Sequence, residues 1–264
     1  MEKKYEIILF GATGFTGQLC AKYFKQNYPD LTWAIAGRDK NKLDDINIKF
    51  NLNVDTLVAD GDNLEALRVM AGQAKVILST AGPFARYSDL LVQACVEQGT
   101  HYTDITGENH WVRTLIDKHH ENASLKGVRI VPSCGYDSIP SDIGTFFAVS
   151  QFNKPVKRVE LFQEMQGGAS GGTIETAFSM GKLSKEMRDP FLLNPENSST
   201  EEQRKFSKDT MRIEKIEELD GWSGMFVMAA GNTRVVRRTA ALMEQNQNSY
   251  GANFTFGEYG LHKT

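Results

Sequence analysis

Three glycines stand at intervals of three residues near the start of the chain, at positions 11, 14 and 17. They follow the apolar run YEIILF of residues 5–10, which is typical of a buried strand, and precede a segment with helical periodicity. At such a strand-to-helix joint, glycine permits a tight turn, close approach of a ligand to the backbone and close packing of the helix. The spacing therefore predicts a turn that binds the pyrophosphate of a dinucleotide at the start of a helix. A purely structural turn in another α/β protein is the alternative.

The end of the second predicted strand indicates which dinucleotide would bind. Arg38 stands there, within AIAGRDKNKL of residues 34–43, whereas a site for NAD usually has an acidic side chain at this point. A planar guanidinium can bind a 2′-phosphate through paired hydrogen bonds, and Lys42 follows one helical turn later. We therefore predict NADP (NADPH) as the cofactor, with Asp39 as the N-cap of the next helix. An ordinary solvent-exposed arginine is the alternative reading of Arg38.

The other predicted cofactor contacts lie at the ends of the third and fourth predicted strands. Asp60 ends the third strand, where its carboxylate can accept a hydrogen bond from the adenine amino group or can cap the next helix. The segment STAGPF of residues 79–84 ends the fourth strand, where we expect the nicotinamide half of the cofactor. No metal site is predicted. The predicted cofactor-binding residues are Gly11, Thr13, Gly14, Phe15, Thr16, Gly17, Arg38, Lys42, Asp60, Ala81, Gly82 and Pro83.

Candidate catalytic residues follow the later strands, because ligands of doubly wound sheets bind beyond the carboxyl ends of the strands. Tyr87 is the first candidate for a general acid, since a phenol can donate a proton to a carbanion or an activated carbonyl. A tyrosine that packs on the following helix is the alternative. Asp104 is a candidate base or orienting group, and a helix-capping role is its alternative.

The elements that must position these residues form a regular series over the first half of the chain. Continuous apolar runs indicate strands buried on both faces, and helical segments separate them. We predict a doubly wound parallel α/β sheet, a Rossmann domain, in which Asp62 caps the third helix and Gly99 ends the fourth. The predicted strands are 5–10, 31–36, 54–59, 74–79, 100–105 and 128–132, and the predicted helices are 15–27, 40–50, 62–72, 87–98 and 109–125.

The pattern changes after about residue 150, where strand-like segments no longer alternate regularly with helices. We therefore predict a first domain over 1–148 and a second, α+β domain over 149–264 for substrate binding or oligomerisation. Residues 156–165 alternate like an antiparallel strand, and we expect no clear element at the C-terminal end. The remaining predictions are a glycine turn at 167–173, a helix to about 185, an exposed mobile loop at 194–209, and strands at 211–217 and 224–230.

One basic cluster lies in this second half. Arg234, Arg237 and Arg238 would share one face if their segment were helical. A solvated helix face is the favoured interpretation, and binding of an acyl-carrier or coenzyme A phosphate is the alternative.

The composition excludes several classes of protein. The 264 residues carry a net charge of −3 and a pI near 6.0, without the basic excess of nucleic-acid-binding proteins. The three widely spaced cysteines form no disulfide framework, so we expect a reducing, cytoplasmic location. No apolar stretch approaches the length of a membrane-spanning helix. Peripheral contact with membranes or lipids, and a homodimer, are left open.

Seven motifs in order along about residues 5–260 resemble the saccharopine dehydrogenase-like oxidoreductases, particularly the branch of the trans-acting enoyl reductases. The resemblance implies an NADP-binding Rossmann domain followed by an α+β domain. Members of that family usually continue further, so it also implies that the second domain is incomplete at its C-terminal end. The motifs are GATGFTG, AGRDKNKL, TAGPFARYSDLLVQAC, GTHYTDITGE, VPSCGYDSIPSDIG, GGASGGT and GWSGMFVMAAGNTRVVRR.

The resemblance also implies a function. It predicts an NADPH-dependent oxidoreductase that reduces a C=C (enoyl) bond of a lipid or polyketide-type small molecule by hydride transfer. Saccharopine-metabolising relatives imply an alternative reaction on an imine derived from an amino acid. A non-catalytic NADP-binding scaffold or sensor is a third interpretation.

Overall fold

The structure is a computed structural model that describes residues 2–164, 189–208 and 213–263. The chain divides into two compact units. The first comprises Met1–Thr106 and Thr114–Cys134, and the second comprises Gly107–Arg113 and Gly135–Thr264. The domain boundaries expected from the sequence, 1–148 and 149–264, stay a prediction.

The first unit is built on a parallel six-stranded sheet of order β3-β2-β1-β4-β5-β6. Strand β2 is buried along its whole length, which is why it reads as a continuous apolar run. The strand order reverses between β1 and β4, so their carboxyl ends form the switch point where such sheets bind ligands. The predicted doubly wound sheet is confirmed. Its strands are β1 (Tyr5–Phe10), β2 (Trp33–Gly37), β3 (Asp55–Val58), β4 (Ala74–Ser79), β5 (His101–Asp104) and β6 (Ile130–Val131).

Helices connect these strands, and several of their ends match the sequence predictions. The Asp39 carboxylate accepts a hydrogen bond from the Lys42 N–H and caps α2, and Gly99 ends α5 with a left-handed φ of 64°. The prediction that Asp62 caps α3 is wrong, because Asn63 is the N-cap residue and its side chain accepts the Ala66 N–H. The helices are α1 (Phe15–Asn27), α2 (Lys40–Lys49), α3 (Leu64–Ala71), α4 (Phe84–Tyr87), α5 (Asp89–Gln98) and α6 (Asn109–Leu125).

The second unit contains a four-stranded sheet of order β7-β10-β9-β8, which confirms the predicted α+β character. Val236 of a long helix packs with Tyr250, Phe254 and Phe256 to form its apolar core. The elements are α7 (Ile139–Ser150), β7 (Arg158–Gln163), α8 (Glu201–Phe206), β8 (Glu214–Ile216), a 3₁₀ turn (Glu217–Leu219), β9 (Gly221–Gly224), α9 (Ala229–Gln245) and β10 (Thr255–His262). Within the three described ranges, no helix is both long and apolar enough to cross a membrane.

Two predictions about strands of the second unit are wrong. Strand β7 pairs in parallel with β10, not in an antiparallel ladder. Its alternating pattern reflects one buried face, which says nothing about the direction of the partner strand. The expected absence of an element at the C-terminal end is also wrong, because β10 lies between β7 and β9 inside the sheet.

Two further segments of the second unit differ from the predictions. The stretch 194–209 contains α8, whose start has a capping box: the Thr200 hydroxyl accepts the Gln203 N–H, and the Gln203 side chain accepts the Thr200 N–H. The strand expected at 224–230 gives way to β9 and to the start of α9 at Ala229. The glycine turn at 167–173 and the helix to about 185 lie outside the described residues.

A half-buried carboxyl group, that of Asp142, joins α7 to α9. Asp142 accepts a hydrogen bond from the Thr239 hydroxyl at 2.9 Å, and its Oδ1 atom has no hydrogen-bond partner within the described part of the chain. Burial raises the pKa of Asp142 from 3.8 to about 6, against a smaller opposite effect of the Thr239 hydrogen bond. The buried Tyr250 also lies close enough to be affected by the Asp142 charge. The folded protein therefore binds a proton at Asp142 more tightly than the unfolded chain does.

We expect this group to make the second unit less stable as the pH rises. Its contribution is fully present below the unfolded pKa and is lost as the pH rises through the folded pKa of about 6. A pKa shift of about 2 units corresponds to a fall of up to about 3 kcal/mol in the free energy of unfolding. Denaturant unfolding at a series of pH values should show this fall in the wild type and not in Asp142→Asn.

The matched control is Asp45→Asn, which removes an exposed carboxylate on α2. This variant should keep the pH dependence of the wild type. An Asp142→Asn protein whose unfolding free energy followed the wild-type pH profile would contradict the assignment.

Candidate dinucleotide-binding site

The glycine turn after β1 depends on two positions where no side chain fits. Gly11 has a φ of 85°, and a Cβ atom there would lie 2.8 Å from the Ala81 nitrogen. A Cβ atom on Gly17 would lie 2.3 Å from the Gly11 carbonyl oxygen and 2.8 Å from the Ala12 Cα. These two glycines therefore allow the end of β1, the start of α1 and the loop after β4 to come into contact.

Gly14 has a different environment. It is the N-cap residue of α1, and a Cβ atom there would meet only the Gly11 oxygen, at 3.4 Å. No side chain caps the start of α1, and its first turn contains no acidic residue. The helix start is thus electropositive and can accept the phosphate oxygens of a dinucleotide. The predicted contacts Thr13, Phe15 and Thr16 lie in this same turn, and Phe15 is exposed.

The ends of β2 and β3 lie beside each other. The Ala59 N–H donates to the Gly37 carbonyl at 3.0 Å, and the next residue after Gly37 is the exposed Arg38. Arg38 forms no hydrogen bond or ion pair with the residues that the structure describes. Lys42 is also exposed, with its Nζ atom 4.0 Å from an Asp39 carboxylate oxygen. This edge therefore carries an arginine that is free to bind a 2′-phosphate.

Asp60 stabilises the turn after β3. Its Oδ1 atom accepts the Asp62 N–H at 3.1 Å, and its carbonyl accepts the Asn63 N–H at 3.0 Å. These bonds form an Asx turn that leads into α3. The two roles that the sequence leaves open for Asp60 are compatible with this turn, since its carboxylate is exposed.

The loop after β4 runs along the glycine turn. The Thr80 hydroxyl is 3.2 Å from the carbonyl oxygens of both Phe10 and Gly11, and Ala81 lies against Gly11. Gly82 and Pro83 follow and lead into the short helix α4. Tyr87 ends α4 half-buried, with the Arg86 guanidinium carbon 5.1 Å from the centre of its ring.

Asp104 is almost completely buried, with 1% of its surface exposed. The Tyr102 hydroxyl donates to its Oδ2 atom at 2.8 Å, and the N–H groups of Thr106 and Ser133 donate to Oδ1 at 2.9 Å each. Burial and the Asp104 charge raise the pKa of Tyr102 well above its ordinary value. Asp104 therefore joins the end of β5 to the residues that follow β6. This buried network is the feature that the sequence did not reveal.

In the arginine cluster of the second unit, Arg234 and Arg237 are buried and Arg238 is half-buried, so the solvated-face interpretation is wrong. Arg234 and Arg237 each expose 4% of their surface on α9. The Arg237 guanidinium donates to the carbonyls of Pro190 and Phe256, each at 3.0 Å, and Arg238 donates to the Leu193 carbonyl. These guanidinium groups bind main-chain carbonyls. The spacing of arginines along a helix is the same whether the arginines face such carbonyls or water, so the sequence pattern did not indicate their burial.

A sheet of this order with a glycine turn at the switch point defines a dinucleotide-binding domain of the Rossmann type. Residues 7–131 match the family model of the saccharopine dehydrogenase NADP binding domain. This part of the chain is therefore similar to the NADP-binding domain of saccharopine dehydrogenases, and the match confirms the predicted cofactor, NADP.

Similar proteins extend the comparison beyond this domain. The chain is 34% identical over 279 residues to a trans-acting enoyl reductase of Mycobacterium tuberculosis, covering 97% of the chain and 65% of that protein. A trans-acting enoyl reductase of Mycobacterium leprae is 34% identical over 281 residues with the same coverage. The chain therefore spans 65% of the length of these relatives.

A solved structure shows the fold relationship. The saccharopine dehydrogenase (L-Glu forming) of Saccharomyces cerevisiae aligns with a TM-score of 0.50 and 14% identity, over 60% of this chain and 34% of the yeast chain. At this identity the similarity shows a common fold.

The two kinds of glycine environment lead to different expectations for substitution. Gly17→Ala should lower the free energy of unfolding by about 3 kcal/mol or more, because the new methyl group overlaps backbone atoms. Gly14→Ala should lower the free energy of unfolding by at most about 1 kcal/mol, because the site is open. Thermal unfolding of the two variants measures this difference in stability. A titration with NADPH should show that Gly14→Ala weakens binding at least tenfold while the protein remains folded. Equal stability of the two variants would contradict this geometry.

Proposed function

We propose that the chain is an NADPH-dependent oxidoreductase that reduces the C=C bond of an enoyl group in a lipid or polyketide-type substrate. The observation that carries the proposal is the 34% identity to trans-acting enoyl reductases along 97% of the chain. The glycine turn and the exposed Arg38 support the choice of cofactor, because they offer a phosphate cradle and a cation at the expected positions.

The residues of the first unit have distinct roles in this proposal. The turn at Gly11, Gly14 and Gly17 holds the pyrophosphate against the start of α1. Arg38 binds the 2′-phosphate, with Lys42 adding positive charge nearby. When bound, the nicotinamide supplies the hydride, so the protein has to orient the cofactor and the substrate and provide a path for one proton.

We further propose that Asp104 positions loops and does not transfer a proton. Its two oxygens already accept three hydrogen bonds, and the side chain is almost completely inaccessible. A general acid or base must reach the reacting atoms, whereas Asp104 is directed at the backbone after β5 and β6. The carboxylate thus keeps the carboxyl ends of these two strands in a fixed relation.

The finer parts of the expected function rest on the relatives. The relatives' names state enoyl reductase activity, and a lipid-like acyl group as the substrate is our proposal. The expected homodimer, the cytoplasmic location and peripheral contact with membranes stay predictions.

Arg38 should control the preference between the two nicotinamide cofactors. We expect the wild type to bind NADPH at least tenfold more tightly than NADH, about 1.4 kcal/mol, and we expect Arg38→Gln to remove that difference. Calorimetric or fluorescence titration of the purified chain with each nucleotide measures both values. NADH affinity should change little, because NADH lacks the 2′-phosphate.

Arg129→Gln is the matched control, since Arg129 is an exposed arginine directly before β6, at the amino edge of the sheet. This variant should keep the NADPH preference. Arg38→Gln with an undiminished preference would refute the assignment of Arg38.

Turnover distinguishes the enoyl reaction from its alternatives. We expect the chain to oxidise NADPH in the presence of a long-chain 2-enoyl thioester, with transfer of deuterium from 4-deuterated NADPH to the product. Mass spectrometry of the product measures the transfer. Turnover only with an imine derived from an amino acid would support the saccharopine-type reaction. NADPH binding without turnover of either substrate class would support a scaffold or sensor.

A further inference from the structure

The loop after β4 extends along the carboxyl edge of the sheet to β3. It begins beside the glycine turn, where Ala81 contacts Gly11. It ends beside Gly61, which follows β3, because a Cβ atom on Gly61 would lie 3.0 Å from the Tyr87 carbonyl oxygen. Strands β1 and β2 lie between β4 and β3 in the sheet. The segment 80–87 therefore connects the glycine turn after β1 with the turn that follows β3.

This path places Tyr87 on the adenosine side of the expected cofactor site. In doubly wound domains, the half of the sheet that carries the glycine turn binds the adenosine moiety, and its ribose meets the end of the second strand. Arg38 stands at that end, and the Gly37–Ala59 hydrogen bond joins it to the end of β3. Tyr87 contacts the residue two positions after Ala59. A proton donor to the substrate belongs instead beside the nicotinamide, on the other half of the sheet.

Arg86 is an exposed, positively charged residue next to Tyr87. Its side chain is exposed, and its guanidinium carbon lies 5.1 Å from the centre of the Tyr87 ring, within the range of a cation–π contact. It has no ion pair or hydrogen bond through its guanidinium to any residue in the described ranges. The ring thus restrains the guanidinium without neutralising its charge.

We propose that Arg86, held on the ring of Tyr87, is a second specificity determinant that binds the 2′-phosphate of NADPH together with Arg38. This inference rests on the proposed NADPH-dependent function. A ribose 2′-phosphate carries between one and two negative charges near neutral pH, and two guanidinium groups match both its charge and its several acceptor oxygens. Tyr87 is then a positioning residue for Arg86 and not a proton donor.

The test compares nucleotides that differ only in the 2′-phosphate. Arg86→Gln should weaken binding of NADPH and of 2′,5′-ADP by about tenfold each, and should leave binding of NADH and 5′-AMP within about twofold. Because 2′,5′-ADP lacks the nicotinamide, a loss measured with it locates the effect on the adenosine side. Isothermal titration calorimetry on the full chain provides all four affinities, and thermal unfolding checks that the exposed substitution leaves the fold intact.

Substitutions at Tyr87 test the positioning role. Tyr87→Leu removes the ring and should weaken 2′,5′-ADP binding in the same direction as Arg86→Gln. Tyr87→Phe keeps the ring and should restore the affinity, whereas a role of the phenol hydroxyl would not allow this rescue. Arg129→Gln again serves as the control for the loss of one exposed positive charge.

The outcomes separate this inference from the function on which it rests. A wild type that fails to bind NADPH, or that binds NADH equally well, would overturn both. A wild type that prefers NADPH, with an Arg86→Gln variant that keeps the same preference, would overturn only the inference. Loss of turnover in Tyr87→Phe with full NADPH affinity would also overturn it and would return Tyr87 to the role of proton donor.

Discussion

Close backbone packing at the end of β1 is the constraint on which the first unit depends. A side chain on Gly17 would overlap the Gly11 carbonyl, and one on Gly11 would overlap the backbone of Ala81. Because both are glycine, the start of α1, the end of β1 and the loop after β4 meet, and the Thr80 hydroxyl reaches the carbonyls of that turn. The same packing directs the electropositive start of α1 at the switch point, so the geometry that we propose for phosphate binding follows from the packing that joins the strands.

A buried carboxylate connects the carboxyl ends of β5 and β6, as the glycines allow the carboxyl ends of β1 and β4 to meet. Asp104 satisfies two backbone N–H groups, one of them from Ser133, whose φ of 63° is unusual for a residue other than glycine. Without an acceptor, these buried donors would each carry a desolvation penalty of about 1–3 kcal/mol. At the carboxyl edge of the sheet, the ends of β1 and β4 therefore meet because glycines leave room, and the ends of β5 and β6 are connected by the single charged side chain of Asp104.

Much of the first unit could be predicted from the sequence, because local patterns determine it. Strands buried on both faces produce continuous apolar runs, and the glycine triplet and Arg38 lie at fixed offsets from strand ends. The errors arise where a partner distant in the sequence decides the outcome. The alternating pattern of β7 indicates one buried face but not the direction of its partner strand β10. The sequence also predicts a solvent-exposed Arg237, whereas its guanidinium donates to the carbonyls of Pro190 and Phe256. The capping box at Thr200 is a local signal that could have revealed α8.

Tyr87 shows why the candidate site was harder to predict than the fold. Its position after β4 in the sequence predicts the nicotinamide side, whereas its carbonyl oxygen lies beside Gly61, in the turn that follows β3. The sequence shows that a residue follows a strand at the carboxyl edge of the sheet. The length and packing of the loop then determine whether the residue lies beside the adenosine half or the nicotinamide half of the cofactor site. A proton path for the proposed reduction should therefore be sought at the carboxyl ends of β4, β5 and β6. Asp104 already accepts three hydrogen bonds and is almost completely buried, so we expect the proton to come from a group other than this carboxylate.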